Sequence, residues 1–423
     1  MIRVYSRSFA AIQLFVLTAC APPADTRSFD TQLFSEISRI KAIDNHAHPV
    51  RPVAPGETPD NEYDALPVET LEPQSDPVRI RPGSPELIDA HRRIFSGDKP
   101  RAAKTYGLDY ANRVLDELNI ETMLANRVAM GPGMVPPRFL WVPYLDALMY
   151  PLPTDSIART PDQKAFFALE DRVFKRYLTD SGFTSKPATL DEYLDKVVRA
   201  TIERQKAGGA VAEKFEMAYL RTFEIGNPSK ADAERVYATG IGDYKILQDY
   251  IFRFMAVECG RLGLPMHLHS CAGAGGYFNV SGGNPMLLEP LFNDPSLRKT
   301  TFVMVHGGWP FEHQLTALLT KPNVYLDFSQ QSFTNYPRAV SEAIRAWLEY
   351  VPEKVLFATD AYPFATPDVG WEEAGWVANS TGREALALAL TGMLRDSEIT
   401  RDRALELARM VLRDNARKLY QLK

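Results

Sequence analysis

Two His-x-His pairs in the 423-residue chain have the spacing of a chelate. His46 and His48 lie in the stretch KAIDNHAHPV, and His267 and His269 lie in PMHLHS. Residues two apart on a strand point to the same side of it, so each pair would hold two imidazoles side by side. With 7 histidines in the chain, roughly 0.1 such pairs would arise by chance. The spacing therefore predicts metal binding.

Other potential ligands follow apolar runs later in the chain. His306 comes after TTFVMV, and Asp360 comes after KVLFAT. The run AVAEKFE contains Lys214 and Glu216. Imidazole and carboxylate suit zinc, iron, nickel or manganese, and such ligands must come from several rigid strands to leave an open position for water. We therefore expect a catalytic metal site formed by His46, His48, His269, His306 and Asp360.

Apolar runs of strand length precede these residues. In the second half of the chain, helical patterns alternate with such runs about every 30 to 45 residues, which is typical of βαβ units in a parallel sheet. We predict an α/β fold, a (β/α)8 TIM barrel, with its active site at the carboxyl ends of the strands. The expected strands cover residues 40–46, 120–126, 139–145, 210–216, 265–270, 300–308, 323–329 and 354–363.

The predicted barrel occupies residues 30–423. A helical insertion is expected between strands three and four, at about residues 147–207, and a C-terminal helical tail at 382–421. Residues 49–85 are rich in Pro, Asp and Glu and show little periodicity, which predicts a long loop.

The N-terminal residues predict an export signal. Two arginines precede an apolar segment that is too short to span a bilayer, and LTAC resembles the lipobox of bacterial lipoproteins. We expect residues 1–19 to be removed, Cys20 to carry lipid, and residues 20–29 to form a tether. Ala21 is not the aspartate linked to retention in the inner membrane, so the expected location is the outer membrane, facing the periplasm.

The charge balance is mildly acidic. The chain has 48 basic and 53 acidic residues and a net charge of -5. With no long basic run, it gives no support for nucleic-acid binding. The expected partner is a small-molecule substrate; contact with a membrane is expected only through the lipid, and a homo-oligomer is compatible with the sequence.

Four motifs carry a family resemblance. IDNHAHP, HLHS, MVHGGWP and FATDAYP resemble the metal-site motifs of the amidohydrolase superfamily, and the ending LRDNARKLY is similar to that of its amidohydrolase-related (amidohydrolase 2) branch. The resemblance implies that His46, His48 and Asp360 bind a buried metal ion. It implies that His269 and His306 bind a second ion or polarise the substrate. The implied cofactor is one or two divalent ions, with zinc expected.

Lys214 bears on the number of ions. It falls where many hydrolases of the superfamily have a lysine carboxylated by carbon dioxide, which bridges two metals. The alternative is an ion pair with Glu216 or Asp360. Burial favours the neutral amine of a lysine, and carbamate formation requires that neutral amine. Both interpretations stay open at this stage.

Further roles are expected for residues at the strand ends. Asp360 could also accept the proton of the attacking water and pass it to the leaving group, while His306 polarises the scissile carbonyl. Tyr219 and Arg221 are candidate substrate-binding residues, although Arg221 could equally pair with a neighbouring acid. His267, deeper in the barrel, is expected to form hydrogen bonds behind the ligands.

These expectations together predict a metal-dependent hydrolase that activates water to cleave a C–N or C–O bond, in an amide or a lactone. A first alternative is a metal-dependent nonoxidative decarboxylase of a carboxylic acid, an activity found in the same branch; Lys214 argues mildly against it because those enzymes usually lack a lysine there. A second alternative is a ligand-binding lipoprotein without turnover. The full set of predicted ligands opposes it, since a binding protein needs no open metal site.

Overall fold

The computed structural model describes residues 29–53, 58–68, 71, 76–364 and 369–422. The signal segment 1–19, Cys20 and all but the last residue of the tether 20–29 lie outside these ranges. The strands are β1 (Ala42–Ala47), β2 (Ile120–Asn126), β3 (Phe139–Val142), β4 (Glu213–Phe215), β5 (Met266–His269), β6 (Phe302–Val305), β7 (Val324–Asp327) and β8 (Val355–Leu356).

The α-helices are α1 (Thr31–Arg39), α2 (Pro85–Phe95), α3 (Lys99–Tyr106), α4 (Tyr110–Glu117), α5 (Pro161–Asp180), α6 (Leu190–Tyr193), α7 (Ala200–Ala207), α8 (Lys230–Thr239), α9 (Tyr244–Leu262), α10 (Glu289–Phe292), α11 (Glu312–Leu318), α12 (Gln331–Thr334), α13 (Pro337–Leu348), α14 (Trp371–Arg395), α15 (Arg401–Arg409) and α16 (Asn415–Leu419). π-helical turns at Leu194–Arg199 and Met410–Asp414 join α6 to α7 and α15 to α16. Among the described residues, none of the helices combines the length and apolar character needed to cross a membrane.

The strands form a TIM barrel, which confirms the predicted fold class. β1 to β3 and β4 to β8 pair in sequence order, and every pairing is parallel. Lys214 N–H donates to Pro143 O at 2.7 Å and joins β4 to the chain after β3. Asn45 N–H donates to Phe357 O at 2.9 Å and joins β1 to the chain after β8. These bonds connect the two sheets at both edges.

Local sequence signals set the helices around the barrel. Asp243 caps α9, accepting from Lys245 N–H, and Gly263 ends the helix in the left-handed region with φ +64°. Ser84 caps α2 in the same way, with Pro85 at the first helical position. Both helices therefore begin at the residues that these caps define. The tail differs, because α14 already begins at Trp371, 11 residues before the expected residue 382.

A separate apolar cluster fills the lower part of the barrel interior. Leu124 and Ala212 belong to it, and each lies two residues before a polar residue of the upper interior, Asn126 and Lys214. Side chains alternate along a strand, so these pairs point into the barrel one layer apart. Tyr420 from the C-terminal tail completes the cluster. The polar upper layer therefore rests on a packed floor.

Candidate metal centre

Side chains from β1 and from the segment after β8 converge at the carboxyl end of the barrel. Nε2 of His46 lies 3.2 Å from Nε2 of His48 and 3.2 Å from Oδ1 of Asp360. Nε2 of His48 lies 3.4 Å from the same oxygen. Ligand atoms about 2.0–2.1 Å from a tetrahedral ion are separated by roughly 3.3 Å. The three atoms therefore have the mutual spacing of ligands to one ion.

The other nitrogen of each β1 histidine is also engaged. Nδ1 of His48 lies 3.2 Å from Oδ2 of Asp64, and Nδ1 of His46 lies 2.7 Å from the side-chain amide of Asn126. A β-bulge between Asp44 and Ala47 shifts the register of β1 just before these side chains reach the interior. A carboxylate behind a histidine fixes the ring and its tautomer, so Asp64 orients Nε2 of His48 toward the centre.

A second pair of histidines lies beside the first. Nε2 of His306 is 3.1 Å from Nδ1 of His269. On the far side of the ring, Nδ1 of His306 lies 2.8 Å from the hydroxyl of Ser329, which itself donates to Asp327 at 2.5 Å. Because that hydroxyl proton is used, its oxygen accepts from Nδ1–H of His306, which leaves Nε2 without a proton. His306 is thus held in the tautomer that a ligand through Nε2 needs.

Backbone strain is concentrated at these strand ends. His306, Gln330 and Asp360 have φ of +73°, +59° and +56°. A non-glycine residue in this region costs about 1–3 kcal/mol and persists only where the surroundings enforce it. Asp360 N–H donates to His46 O at 2.8 Å, and His306 N–H donates to Asp327 at 3.0 Å. The strained backbone thereby aims two candidate ligands into the barrel.

Lys214 lies beside the ligand atoms of His46, His48 and Asp360 and is fully buried. Its Nζ is 3.2 Å from Nε2 of His46 and 3.4 Å from Oε1 of Glu216. The contact with Glu216 that the ion-pair alternative requires is therefore present. The amine also reaches the ligand atoms, so the same position is compatible with a carboxylated lysine.

Buried carboxyl groups outnumber their cationic partners around Lys214. Burial raises the pKa of Asp146 to about 7, and burial together with neighbouring carboxylates raises the pKa of Glu170 and Glu216 well above the usual range. Each of these three groups has one oxygen without a hydrogen-bond partner in the described structure. A divalent cation would offset this excess of acid. The donor set and its charge therefore both fit a metal ion.

The histidines are held mainly in the neutral form that binds metals. Burial, reinforced by neighbouring cations, keeps the pKa of His46, His269 and His306 well below its ordinary value. Burial acts the same way on His48, but Asp64 and Asp360 outweigh it and raise its pKa to about 9. His48 would release its proton on binding a cation.

A cavity of about 350 Å³ opens above the histidines. Tyr219 lines it, with its ring 4.7 Å from that of His269. Arg221 is not among its described lining residues; it binds Asp249 at 2.5 Å and Gln248 at 3.0 Å. The guanidinium of Arg221 is engaged by Asp249, and a substrate contact of Arg221 stays a prediction. This contact is the pairing with a neighbouring acid that was the alternative for Arg221.

Sequence reasoning missed several side chains at the centre. Asn126 ends β2, where its position at a strand end was the available signal. Asp64 comes from the 49–85 loop, which has no pattern that would have revealed it. Cys271 lies 3.4 Å from Nε2 of His269, on the side away from His306. His267 is not one of these side chains, because its Nε2 contacts the hydroxyl of Tyr420 at 2.7 Å.

The contact between Asp64 and His48 leads to a prediction about metal affinity. Asp64→Asn is expected to weaken metal binding about 10- to 100-fold, because an amide no longer fixes the tautomer of His48. Competition with a chromophoric chelator measures it. Glu62→Gln is the matched control, since Glu62 belongs to the same loop and pairs with Arg176 at the surface. An unchanged affinity in Asp64→Asn would show that His48 is oriented without this carboxylate.

A parallel eight-stranded barrel with histidines and an aspartate at its strand ends defines a class of metal-dependent barrel enzymes. Residues 155–422 match the family model Amidohydro_2, described as amidohydrolase. Since the match covers more than half of the chain, the chain belongs to the amidohydrolase family, as the motifs predict. This membership supports a metal-dependent amidohydrolase-like function.

The chain is also similar to individual proteins. It is 26% identical over 278 residues to protein fluG of Emericella nidulans, over 64% of this chain and 30% of that protein. The chain thus spans about a third of the length of this relative. A structure assigned as a metal-dependent hydrolase from Lactobacillus casei superposes with a TM-score of 0.65 at 16% identity, covering 92% of this chain and 97% of that one. Glucuronate isomerase from Caulobacter crescentus superposes with 0.55 at 14% identity, covering 95% and 96%. These structures share the fold.

Proposed function

We propose that this protein is a metal-dependent hydrolase that cleaves a C–N or C–O bond, in an amide or a lactone, of a small molecule. The observation that carries the proposal is the spacing of His46, His48 and Asp360, whose ligand atoms lie 3.2–3.4 Å apart at the floor of the cavity. Zinc is the proposed ion, since imidazole and carboxylate at this spacing suit its tetrahedral site. His269 and His306 are proposed to hold a second ion.

The remaining residues supply proton transfer and orientation. A bound divalent ion would polarise the carbonyl and lower the pKa of water toward ~7. Oδ1 of Asp360 faces the β1 histidines, while Oδ2 lies on the side of His306, 3.9 Å from its Nδ1. Oδ2 is thus placed to accept the proton of the attacking water and to return it to the leaving nitrogen or oxygen. Tyr219 would contact the substrate at the cavity wall.

The cavity favours hydrolysis over the decarboxylation of a carboxylic acid. A decarboxylase must hold a carboxylate, and beside a metal ion the side chains that do this best are arginine and lysine. Neither residue occurs among the described lining residues, and Arg221 is committed to Asp249. The carboxylates of Asp64, Asp76, Glu216 and Asp360 face the same space. An anionic substrate would meet repulsion here.

Metal removal tests the proposal. Purified protein should contain one to two equivalents of divalent metal and hydrolyse at least one member of a panel of amides and lactones. After treatment with a chelator, turnover should fall to background, and Zn²⁺ should restore it. Full turnover by protein shown to be free of metal would overturn the proposal. Release of CO2 from aromatic acids would instead assign the protein as a decarboxylase.

We also propose that the protein is anchored in the envelope through lipid on Cys20, facing the periplasm. The motif LTAC carries this proposal. Cys20→Ala should move the protein from the membrane fraction to the soluble fraction, and mass spectrometry of the wild-type N-terminus should show a diacylglyceryl cysteine. A wild-type protein that is soluble and unlipidated would contradict it.

A further inference from the structure

Carboxylic acids dominate the charged lining of the cavity. Four carboxylic acids line it, at Asp64, Asp76, Glu216 and Asp360, and its described basic lining residues are all histidines. Only Asp360 among the four acids belongs to the proposed metal ligands. Three acids therefore face the space that a substrate would fill.

Glu216 has one carboxylate oxygen without a partner among the described residues. The residue is 4% exposed and lines the cavity. Its Oε1 pairs with Lys214 at 3.4 Å, but its Oε2 has no hydrogen-bond partner in the described structure. A buried acceptor left without a donor costs about 1–3 kcal/mol, and more when it is charged. A hydrogen-bond donor on a bound molecule would remove this cost.

Aromatic rings also line the cavity. Trp309, Phe333, Tyr362 and Phe364 line the cavity together with Tyr219. The ring of Phe364 packs edge-on against those of Phe333 and Tyr362, at centroid distances of 5.3 and 5.8 Å. Aromatic faces attract cations by about 0.5–2 kcal/mol, and they also bury apolar groups. A lining of acids and aromatic rings suits an organic cation better than an anion.

We propose that the substrate of this site carries an ammonium group, which Glu216 binds through Oε2, with Asp64 and Asp76 adding negative potential and the rings packing on the apolar part. This rests on the proposed hydrolase function and deepens it. Glu216, Asp64 and His48 offer atoms within 4.8 Å of one another, so the ammonium site adjoins a proposed metal ligand. The ammonium group therefore sits close to the scissile carbonyl, as in the amide of an amino acid.

Three phenylalanine-like amides, of which the cation and the neutral compound have the same size, test the charge. Phenylalaninamide is the cation, 2-methyl-3-phenylpropanamide is neutral, and 2-benzylmalonamate is the anion. Binding to the metal-loaded protein is measured by calorimetry at about pH 6.5, where an α-amino group of pKa ~7.7–8.0 is protonated. The cation is expected to bind at least about tenfold more tightly than the neutral amide, and the anion least well. Equal or tighter binding of the neutral amide or the anion would overturn the proposal.

Variants locate the binding group. Glu216→Gln should reduce the preference for the cation to near unity with unchanged metal content. Glu170→Gln is the matched control, because Glu170 is 2% exposed in the same acidic region but does not line the cavity. Glu170→Gln should keep the preference for the cation. If Glu216→Gln does not fold, Asp76→Asn should lower the preference severalfold. Loss of a metal equivalent in Glu216→Gln would make this residue a ligand and overturn the assignment.

The experiment separates this inference from the proposed function. If phenylalaninamide is bound preferentially but no amide or lactone is hydrolysed, the hydrolase proposal fails while the ammonium site remains. If metal-dependent hydrolysis occurs with neutral amides as readily as with cationic ones, the hydrolase proposal holds and the ammonium site is refuted.

Discussion

Asp360→Asn is expected to lower turnover by about 10²- to 10⁴-fold, the contribution typical of a general base. Asparagine keeps the size of the side chain and one oxygen for a metal, but its nitrogen cannot accept a proton. The strained φ of +56° is a conformation that asparagine tolerates, so the backbone at this position should survive the change. Steady-state kinetics on the best substrate of the amide and lactone panel, with metal content measured in parallel, gives the result.

Asp396→Asn is the matched control for this change. Asp396 carries the same carboxylate on the surface, 54% exposed, where it pairs with Arg345. The turnover of Asp396→Asn should equal that of the wild type. If Asp360→Asn kept wild-type turnover with full metal content, proton transfer would have to be assigned to another group, and Asp360 would be reduced to a ligand.

Lys214→Met is expected to reduce the metal content from two equivalents to one and to abolish most of the turnover. The Nζ atom is fully buried and lies 3.2 Å from Nε2 of His46. That amine would add carbon dioxide, release a proton, and present two carbamate oxygens to the ions. Methionine fills the volume without this chemistry. Wild-type protein reconstituted without carbon dioxide should therefore be inactive until bicarbonate is added together with metal.

Lys196→Met serves as the control for Lys214→Met, because Lys196 is 60% exposed on the helical insertion and pairs with Glu192. It should bind two ions and respond to bicarbonate as the wild type does. Two equivalents of metal in Lys214→Met, or reconstitution that ignores carbon dioxide, would instead leave Lys214 as the ion-pair partner of Glu216.

The barrel was predictable because its signals are local. Apolar runs of strand length alternate with helical patterns, and the start and end of α9 follow from Asp243 and Gly263. Parallel order then places the strand ends on one rim, so His46, His269 and Asp360 had to come together although they are far apart in sequence. The centre was predictable to the extent that its residues follow strands.

The rest depends on contacts that no local pattern encodes. Asp64 reaches His48 from a loop without periodicity, and Asp249 captures Arg221 from the neighbouring helix α9. α14 begins at Trp371 rather than at residue 382 because its first turn is fixed from outside, where Lys99 binds Glu372 and Glu373. Each of these outcomes was decided by a partner distant in the chain.

The C-terminal tail has a practical consequence for anyone who prepares this protein. The hydroxyl of Tyr420 donates to Asn45, Asn45 donates to Asp327 at 2.7 Å, and Asp327 accepts from the backbone of His306. Two side chains, those of Asn45 and Asp327, therefore connect the tail to His306, a proposed ligand. Trimming by a carboxypeptidase during purification, or a tag fused after the tail, would disturb the candidate metal centre. A preparation that begins after Cys20 should carry its tag at the N-terminus, and intact mass should be checked before metal is counted.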